Sequence, residues 1–197
     1  MQHVIIIHGW GNTRAEDHWQ RHLAVALRGE GRQVYYPQLP DSDLPSFDKW
    51  QAVLVAELEM IAATRSAADE VVVVAHSLGC STWLRLATDG LLPLVADRLI
   101  LVAPAEPDLL EEVPSFQIRP NEVVALALKA SAASVTLLGS DADSWSPRGI
   151  QATYGEPLGI EPLVWPGVKH LALADGFGRW QGIIDWVLDP QAKLTVR

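Results

Sequence analysis

Short runs of β-branched and aliphatic residues recur along this chain, and most of them are continuous rather than alternating with polar residues. Continuous apolar runs are typical of strands covered on both faces, and segments of helical periodicity lie between most of these runs. The sequence therefore predicts an α/β fold with a doubly wound, mainly parallel sheet of about six strands and helices on both faces. The predicted strands are Val4–Ile7, Gln33–Tyr36, Val71–Val74, Leu99–Val102, Val135–Leu138 and Pro162–Trp165.

Helix signals separate the predicted strands. Thr13 followed three residues later by Glu16 forms a capping-box pattern ahead of an amphipathic segment. Ser146 followed by Pro147 is typical of an N-cap and a first helical position. The predicted helices are Ala15–Arg28, Ser46–Thr64, Leu78–Thr88, one that begins near Asn121, one that begins at Ser146, and Phe177–Val187.

The segment Pro104–Pro120 contains four prolines and several acidic residues directly after a predicted strand. This composition predicts a loop or small cap over the carboxyl edge of the sheet, where a substrate would enter. No repeat of fixed period, low-complexity tract or linker is apparent, so we expect a single domain over residues 1–197.

The charge balance and the cysteine content argue against several classes of protein. The chain has 15 basic and 24 acidic residues, a net charge of −9, and no run of Lys and Arg that could follow a phosphate backbone, so nucleic acid is not an expected partner. The single cysteine, Cys80, cannot form an intramolecular disulfide, which favours the cytoplasm. The sequence has neither a signal-peptide pattern nor an apolar stretch long enough to span a membrane. We expect neither a membrane partner nor a cofactor, and the sequence leaves the oligomeric state open.

The segment Val71–Cys80 predicts a buried strand that runs into a sharp turn and then a helix, with Ser77 at the turn. The small residues Ala75 and Gly79 flank the serine, so neighbouring backbones can approach closely. Ser77 could simply cap the following helix. A capping serine would not need a matching acid and base downstream, so the sequence favours a nucleophile at the elbow between strand and helix.

A glycine-rich turn, His8–Asn12, follows the first predicted strand. When such a turn accompanies a nucleophile elbow, it supplies one backbone N–H to an oxyanion hole, and the residue after the nucleophile supplies the other. The expected donors are the amides of Trp10 and Leu78. His8 lies near the same site, but a histidine at the end of a first strand is more often structural, so it is the second choice as a base.

His170 follows the last predicted strand, where a general base belongs if the order along the chain is Ser, Asp, His. The acid belongs after the preceding strand, where Asp141 and Asp143 compete. Asp143 is preferred because its distance to the predicted helix start at Ser146 suits that layout. Asp141 could instead form the turn by accepting hydrogen bonds from nearby backbone amides.

His18 and His22 lie four residues apart, a spacing that can bind a metal ion. No third ligand is apparent and no H-E-x-x-H motif is present, so a solvated or packed helix face is the favoured interpretation. We therefore expect no metal site.

These residues resemble the small serine hydrolases related to retinoblastoma-binding protein 9, over nearly the whole chain. The resemblance implies a compact α/β-hydrolase fold with little or no cap, in which Ser77, Asp143 and His170 are nucleophile, acid and base. The aspartate-proline pair usual in that family is replaced here by Asp143 and serine, and no L-x-C-x-E motif surrounds Cys80, so binding to a pocket protein is not supported. The shared motifs are His8–Gly11, His18–Gln20, Ala75–Cys80, Ser140–Pro147 and His170–Trp180.

Two functions follow from these motifs. The first is hydrolysis of a carboxylic ester, amide or thioester by a Ser-His-Asp triad through an acyl-enzyme. The alternative is a catalytically weak α/β-hydrolase-fold protein that acts as an interaction module, because fold alone does not establish activity. All three triad positions are filled, which favours the enzyme. With little room for a lid, the expected substrate is a small acyl ester or a short peptide-like molecule.

Overall fold

The computed structural model describes residues 1–196 and confirms the predicted α/β architecture. All six strands pair in parallel, in the order β2-β1-β3-β4-β5-β6. The outer strands β2 and β6 are short, whereas the inner four run deep into the core. The strands are β1 (Gln2–Ile7), β2 (Gln33–Tyr35), β3 (Glu70–His76), β4 (Ala96–Val102), β5 (Ala132–Ser140) and β6 (Leu163–Trp165).

Helices cover both faces of the sheet, as the continuous apolar runs predict. Alternate residues of β1 divide between two cores: Ile5 and Ile7 pack on one face, and Val4 and Ile6 on the other. Helices α2, α3 and α4 pack against the first core, and α1 and α6 against the second. No helix within residues 1–196 is long and apolar enough to cross a bilayer. The helices are α1 (Trp19–Gly29), α2 (Phe47–Thr64), α3 (Leu78–Thr88), α4 (Glu122–Ser131), α5 (Glu156–Leu158) and α6 (Gln181–Leu188).

The first helix begins later than its capping-box pattern predicts. Arg14 has a positive φ of 58°, which interrupts a helix at that position, and its N–H donates to the side chain of Asn12. The helix instead begins at Trp19, with His18 as its N-cap. The imidazole Nδ1 of His18 accepts the Gln20 N–H at 3.2 Å. The tertiary packing of the turn after β1 therefore overrides the local capping signal.

The helix start predicted at Ser146 is also wrong. The Ser146 N–H donates to the carbonyl oxygen of Asp143, so this serine closes a turn instead of opening a helix. A π-helical turn, Gln151–Gly155, follows and leads directly into α5. Helix α6 likewise begins at Gln181, four residues later than predicted.

The proline-rich segment after β4 forms a small cap of two 3₁₀ turns, Pro107–Leu109 and Pro114–Phe116. Phe116 is fully buried and packs edge-on against Trp50 of α2, with ring centroids 5.1 Å apart. This aromatic contact anchors the segment to the first core, while Asp108, Glu111 and Glu112 stay at the surface.

Helix α3 approaches the end of β1 very closely at Gly79. A Cβ atom added there would lie 2.7 Å from the carbonyl oxygen of Ile7 and 2.9 Å from that of His8. Both neighbours are backbone atoms, so neither can turn aside as a flexible side chain would. Only glycine permits this approach of helix to strand.

We expect Gly79→Ala to lower the free energy of unfolding by about 1–3 kcal/mol, because the new methyl group forces the backbone of α3 or β1 to move. Gly29→Ala is the matched control, since Gly29 ends α1 with nothing within 4 Å of an added Cβ. That change should be neutral or stabilise by up to about 1 kcal/mol. Urea unfolding measures both, and equal effects of the two variants would contradict the steric argument.

Candidate active site

Ser77 lies in the turn between β3 and α3 in a backbone conformation that side-chain-bearing residues rarely adopt, with φ 53° and ψ −120°. Such strain costs about 1–3 kcal/mol and persists only where the surroundings impose it. Here the Ser77 N–H donates to the Val102 carbonyl at 2.9 Å, and the Ser77 carbonyl accepts the Cys80 N–H at 2.9 Å. The turn therefore holds the serine between strand and helix, as the sequence predicts.

The turn after β1 meets this serine at Gly9. A Cβ at Gly9 would lie 2.8 Å from the Cβ of Ser77, so a side chain there would displace the serine. Trp10 follows directly and lines the same cavity as Ser77. On the other side of the serine, Leu78 is the first residue of α3, and the first four N–H groups of a helix have no carbonyl partner within it.

The structure brings together the three side chains that the sequence singles out. The Nε2 atom of His170 lies 2.8 Å from the Oγ atom of Ser77. Its Nδ1 atom lies 2.9 Å and 3.0 Å from the two carboxylate oxygens of Asp143. The side chain of His170 is 13% exposed and that of Asp143 only 1%. This arrangement can pass a proton from the hydroxyl to the imidazole while the carboxylate stabilises the resulting imidazolium.

His170 sits in a loop with unusual backbone geometry on both sides. Lys169 and Leu171 both have positive φ values, of 54° and 52°. Two buried ring donors hold the loop: the indole N–H of Trp19 donates to the Leu171 carbonyl at 2.9 Å, and Nε2–H of His76 donates to the His170 carbonyl at 3.0 Å. The motifs around Trp19 and His76 thus help to place the imidazole.

Asp175 is a positioning residue that the sequence analysis missed. One of its carboxylate oxygens accepts the N–H groups of both His170 and Ala172, each at 3.2 Å. The carboxylate closes the loop behind His170 without touching the imidazole. Its only sequence signal is an acidic residue five positions after the histidine, which matches no motif on its own.

The two competing aspartates have different partners. The carboxylate of Asp141 accepts the Gly167 N–H at 2.7 Å and ties the turn after β5 to the loop after β6. Asp143 instead contacts His170 and accepts the Trp145 N–H at 2.9 Å. Asp141 therefore has the turn-forming role that the sequence left open, and Asp143 is the one within reach of the imidazole.

Glu106 is a second residue that sequence reasoning missed. It is 2% exposed, and its carboxylate accepts the backbone N–H of Arg148 at 2.6 Å and the Nε–H of the same arginine at 2.7 Å. Its own N–H donates to the Trp145 carbonyl at 2.7 Å. Glu106 thereby ties the cap after β4 to the turn that carries Asp143.

His8 is fully occupied in holding the turn after β1. Its Nδ1–H donates to the Gly9 carbonyl at 2.8 Å, and its Nε2 accepts the Leu39 N–H at 2.9 Å. Burial lowers the pKa of His8 from 6.5 to about 4, so the ring is neutral near pH 7. With both ring nitrogens engaged, His8 has the structural role and leaves His170 as the imidazole that faces the serine.

No group of three or more His, Cys, Asp or Glu residues within the described chain, 1–196, is arranged to hold a metal ion. His18, one half of the possible metal-binding pair, caps α1 and lines the cavity beside Ser77. Burial lowers its pKa from 6.5 to about 4.

Two depressions lie beside the group formed by Ser77, His170 and Asp143. The first, of about 270 Å³, contains Ser77 and His170 and is walled by the turn after β1 and by residues 172–174. The second, of about 520 Å³, lies between Trp10, Trp145 and the acidic part of the cap. The rings of these two tryptophans are 6.2 Å apart, and the Trp145 ring is 6.0 Å from that of His170. A larger depression of about 770 Å³ against the loop 38–44 is lined by none of these three residues.

Residues 4–188 match the Serine hydrolase family, so the chain belongs to this family. The match confirms the predicted small serine hydrolase, whereas the specific relation to retinoblastoma-binding protein 9 stays a prediction. A search of curated proteins found no match.

Solved structures share the fold at low sequence identity. The ydeN gene product of B. subtilis is 21% identical with a TM-score of 0.75, over 95% of this chain and 97% of that one. A putative YdeN-like hydrolase of Pectobacterium atrosepticum is 18% identical with a TM-score of 0.70, over 94% and 88%. Est1E of Butyrivibrio proteoclasticus, solved with ferulic acid, is 16% identical with a TM-score of 0.64, over 98% and 90%.

The buried neutral histidines predict a pH-dependent stability. His8 and His18 have pKa values of about 4 in the folded protein against 6.5 when unperturbed, so below pH 6.5 the unfolded chain binds more protons. The free energy of unfolding should therefore fall as the pH falls from 7 to 5, by up to about 1.4 kcal/mol per pH unit for each histidine. Urea unfolding at pH 7, 6 and 5 measures this slope. His18→Asn, which keeps a capping side chain, should remove the contribution of His18 from this slope and leave that of His8. If the free energy of unfolding of the wild type did not change over this pH range, the prediction would be contradicted.

Proposed function

We propose that this protein is an esterase that hydrolyses carboxylic esters through an acyl-enzyme, with Ser77 as nucleophile, His170 as general base and Asp143 as the acid. The observation that carries the proposal is the unbroken line of contacts from the Ser77 hydroxyl through His170 to Asp143, at 2.8 Å and 2.9 Å. Membership of the Serine hydrolase family supports it.

In the first half of the reaction, His170 takes the Ser77 proton while Oγ attacks the ester carbonyl. The carbonyl oxygen gains negative charge, and the backbone N–H groups of Trp10 and Leu78 are the proposed donors to it. Collapse of the tetrahedral intermediate breaks the bond to the alcohol oxygen, which receives the proton from His170. Water then repeats the sequence on the acyl-enzyme and releases the acid.

The proposed substrate is a small acyl ester or a short peptide-like molecule; amide or thioester cleavage would follow the same steps. The cavity of about 270 Å³ beside Ser77 lies just below the range typical of sites for drug-sized molecules, about 300–1,000 Å³, which supports a short group there. The cap after β4 consists of short turns and does not form a lid domain. We also propose the cytoplasm as location, because the single cysteine is a buried free thiol.

A fluorophosphonate probe tests the proposed nucleophile. We expect a stoichiometric adduct on Ser77, found by mass spectrometry, because the neighbouring imidazole activates this hydroxyl. The Ser77→Ala variant should give no adduct and no ester hydrolysis. Ser81 in α3 provides the control, since Ser81→Ala should label as the wild type does. A folded wild-type protein without an adduct would overturn the proposal and favour an interaction module.

Replacing each aspartate in turn tests the assignment of the acid. Asp143→Asn should lower kcat by about 10³- to 10⁴-fold, because the amide cannot stabilise the imidazolium and favours the wrong tautomer of His170. Asp141→Asn should change kcat by less than about threefold, because the amide oxygen can still accept the Gly167 N–H. Steady-state kinetics on p-nitrophenyl acetate compare the two, with thermal unfolding as a check of folding. Equal losses would contradict the assignment.

A further inference from the structure

The cavity beside Ser77 contains an imidazole that the proposed reaction does not use. His18 is only 7% exposed and lines this cavity together with Ser77 and His170. Its ring stacks on Trp19, with centroids 5.7 Å apart, so packing fixes its orientation. Because buried polar atoms normally have hydrogen-bond partners, both nitrogens of this ring are expected to have one.

Both ring nitrogens of His18 face hydrogen-bond donors. The Gln20 backbone N–H points at Nδ1 from 3.2 Å, and the Nδ2 amide group of Asn12 lies 3.4 Å from Nε2. A neutral imidazole has one lone pair and one N–H, so it can satisfy only one of these donors. The ring is neutral near pH 7, because burial lowers its pKa to about 4.

The amide of Asn12 cannot turn its oxygen toward His18 without breaking other contacts. Its Oδ1 atom accepts the Arg14 N–H at 2.7 Å, and its Nδ2 group donates to Gln20 Oε1 at 3.2 Å. The Gln20 side chain is oriented in turn, because its Nε2 group donates to the Ile7 carbonyl at 3.0 Å. This chain of side-chain amides keeps an NH₂ group against the imidazole.

The contact from the backbone N–H of Gln20 is the shorter of the two, and this N–H lies at the start of α1. The lone pair of the ring is therefore on Nδ1, where it accepts this N–H. The ring proton then resides on Nε2. No oxygen of residues 1–196 accepts it, and the polar group that contacts it is the Asn12 amide, itself a donor. In a residue that is only 7% exposed, an N–H without an acceptor is unfavourable until a ligand supplies one.

We propose that His18 is a specificity-determining residue whose Nε2–H donates to an oxygen atom of the substrate group held in this cavity. The inference rests on the proposed esterase function and narrows its substrate class to esters with an ether, hydroxyl or carbonyl oxygen close to the scissile bond. An ester with a methylene group in place of that oxygen leaves the donor unsatisfied and binds more weakly.

Two matched pairs of esters test the inference and distinguish the two sides of the scissile bond. On the acyl side, p-nitrophenyl methoxyacetate is compared with p-nitrophenyl butyrate. On the alcohol side, 2-methoxyethyl acetate is compared with butyl acetate. In each pair an oxygen replaces one methylene group at nearly constant size. The readout is the ratio of kcat/KM for the oxygen-containing ester to that for its partner, in wild type and in variants.

The decisive variant is His18→Asn, because asparagine retains a capping oxygen for the Gln20 N–H while the Nε2–H is lost. We expect the ratio to fall about tenfold for one of the two pairs, mainly through KM, since the hydrogen bond forms already in the ground state. His22→Asn makes the same substitution one turn further along α1 and should leave both ratios at the wild-type values. His18→Ser, another capping residue, replaces His18→Asn if the latter fails to fold.

The outcomes separate the two proposals. Absence of hydrolysis of all four esters by the wild-type protein overturns the proposed function. If the wild type hydrolyses the esters and both kcat/KM ratios are the same in His18→Asn, the role of His18 is overturned while the proposed function stands. A loss of activity that is equal for all four esters counts as this outcome. A selective loss for one pair supports the inference and assigns the oxygen to the acyl or the alcohol side.

Discussion

The close approach of three backbone segments around Ser77 is the constraint on which the site depends. Gly9 lets the turn after β1 touch the serine, and Gly79 lets α3 pack against the end of β1. Between them Ser77 is held at a positive φ, with its hydroxyl beside the carboxyl edge of the sheet. Because the hydroxyl is fixed in this way, the loops that carry His170 and Asp143 need to be positioned relative to one point only.

Those loops are held mainly by buried polar groups. Backbone N–H and carbonyl groups in loops need partners as much as those in strands do, and here side chains provide them. Glu106 and Asp141 secure the turn that carries Asp143, while Asp175 and Trp19 secure the loop that carries His170. Each of these contacts joins segments that are distant along the chain. The positions of His170 and Asp143 therefore depend on side chains that take no part in the proposed chemistry.

The segment between β1 and α1 shows how tertiary packing redirects a local signal. Its capping-box pattern predicts a helix from Ala15, yet the chain wraps over the end of the sheet and begins α1 only at Trp19. The delay places His18 beside Ser77 instead of on a solvated helix face, and Asn12 lines the same cavity. The sequence suggests for His18 only a metal ligand or, preferably, a solvated or packed helix face, because the chain alone shows neither the burial of His18 nor its neighbours.

The sequence alone determined the sheet, its parallel strands, the elbow at Ser77 and the order of serine, aspartate and histidine. These features could be predicted because continuous apolar runs and short local motifs encode them. The tertiary structure placed Asp143 and not Asp141 against His170, engaged both ring nitrogens of His8, and revealed the positions of Glu106, Asp175 and His18. The reason is distance along the chain: the contact of Asp143 with His170 spans 27 residues and that of Ser77 with His170 spans 93. Such contacts depend on how separate loops meet above the sheet, and no local pattern encodes that meeting.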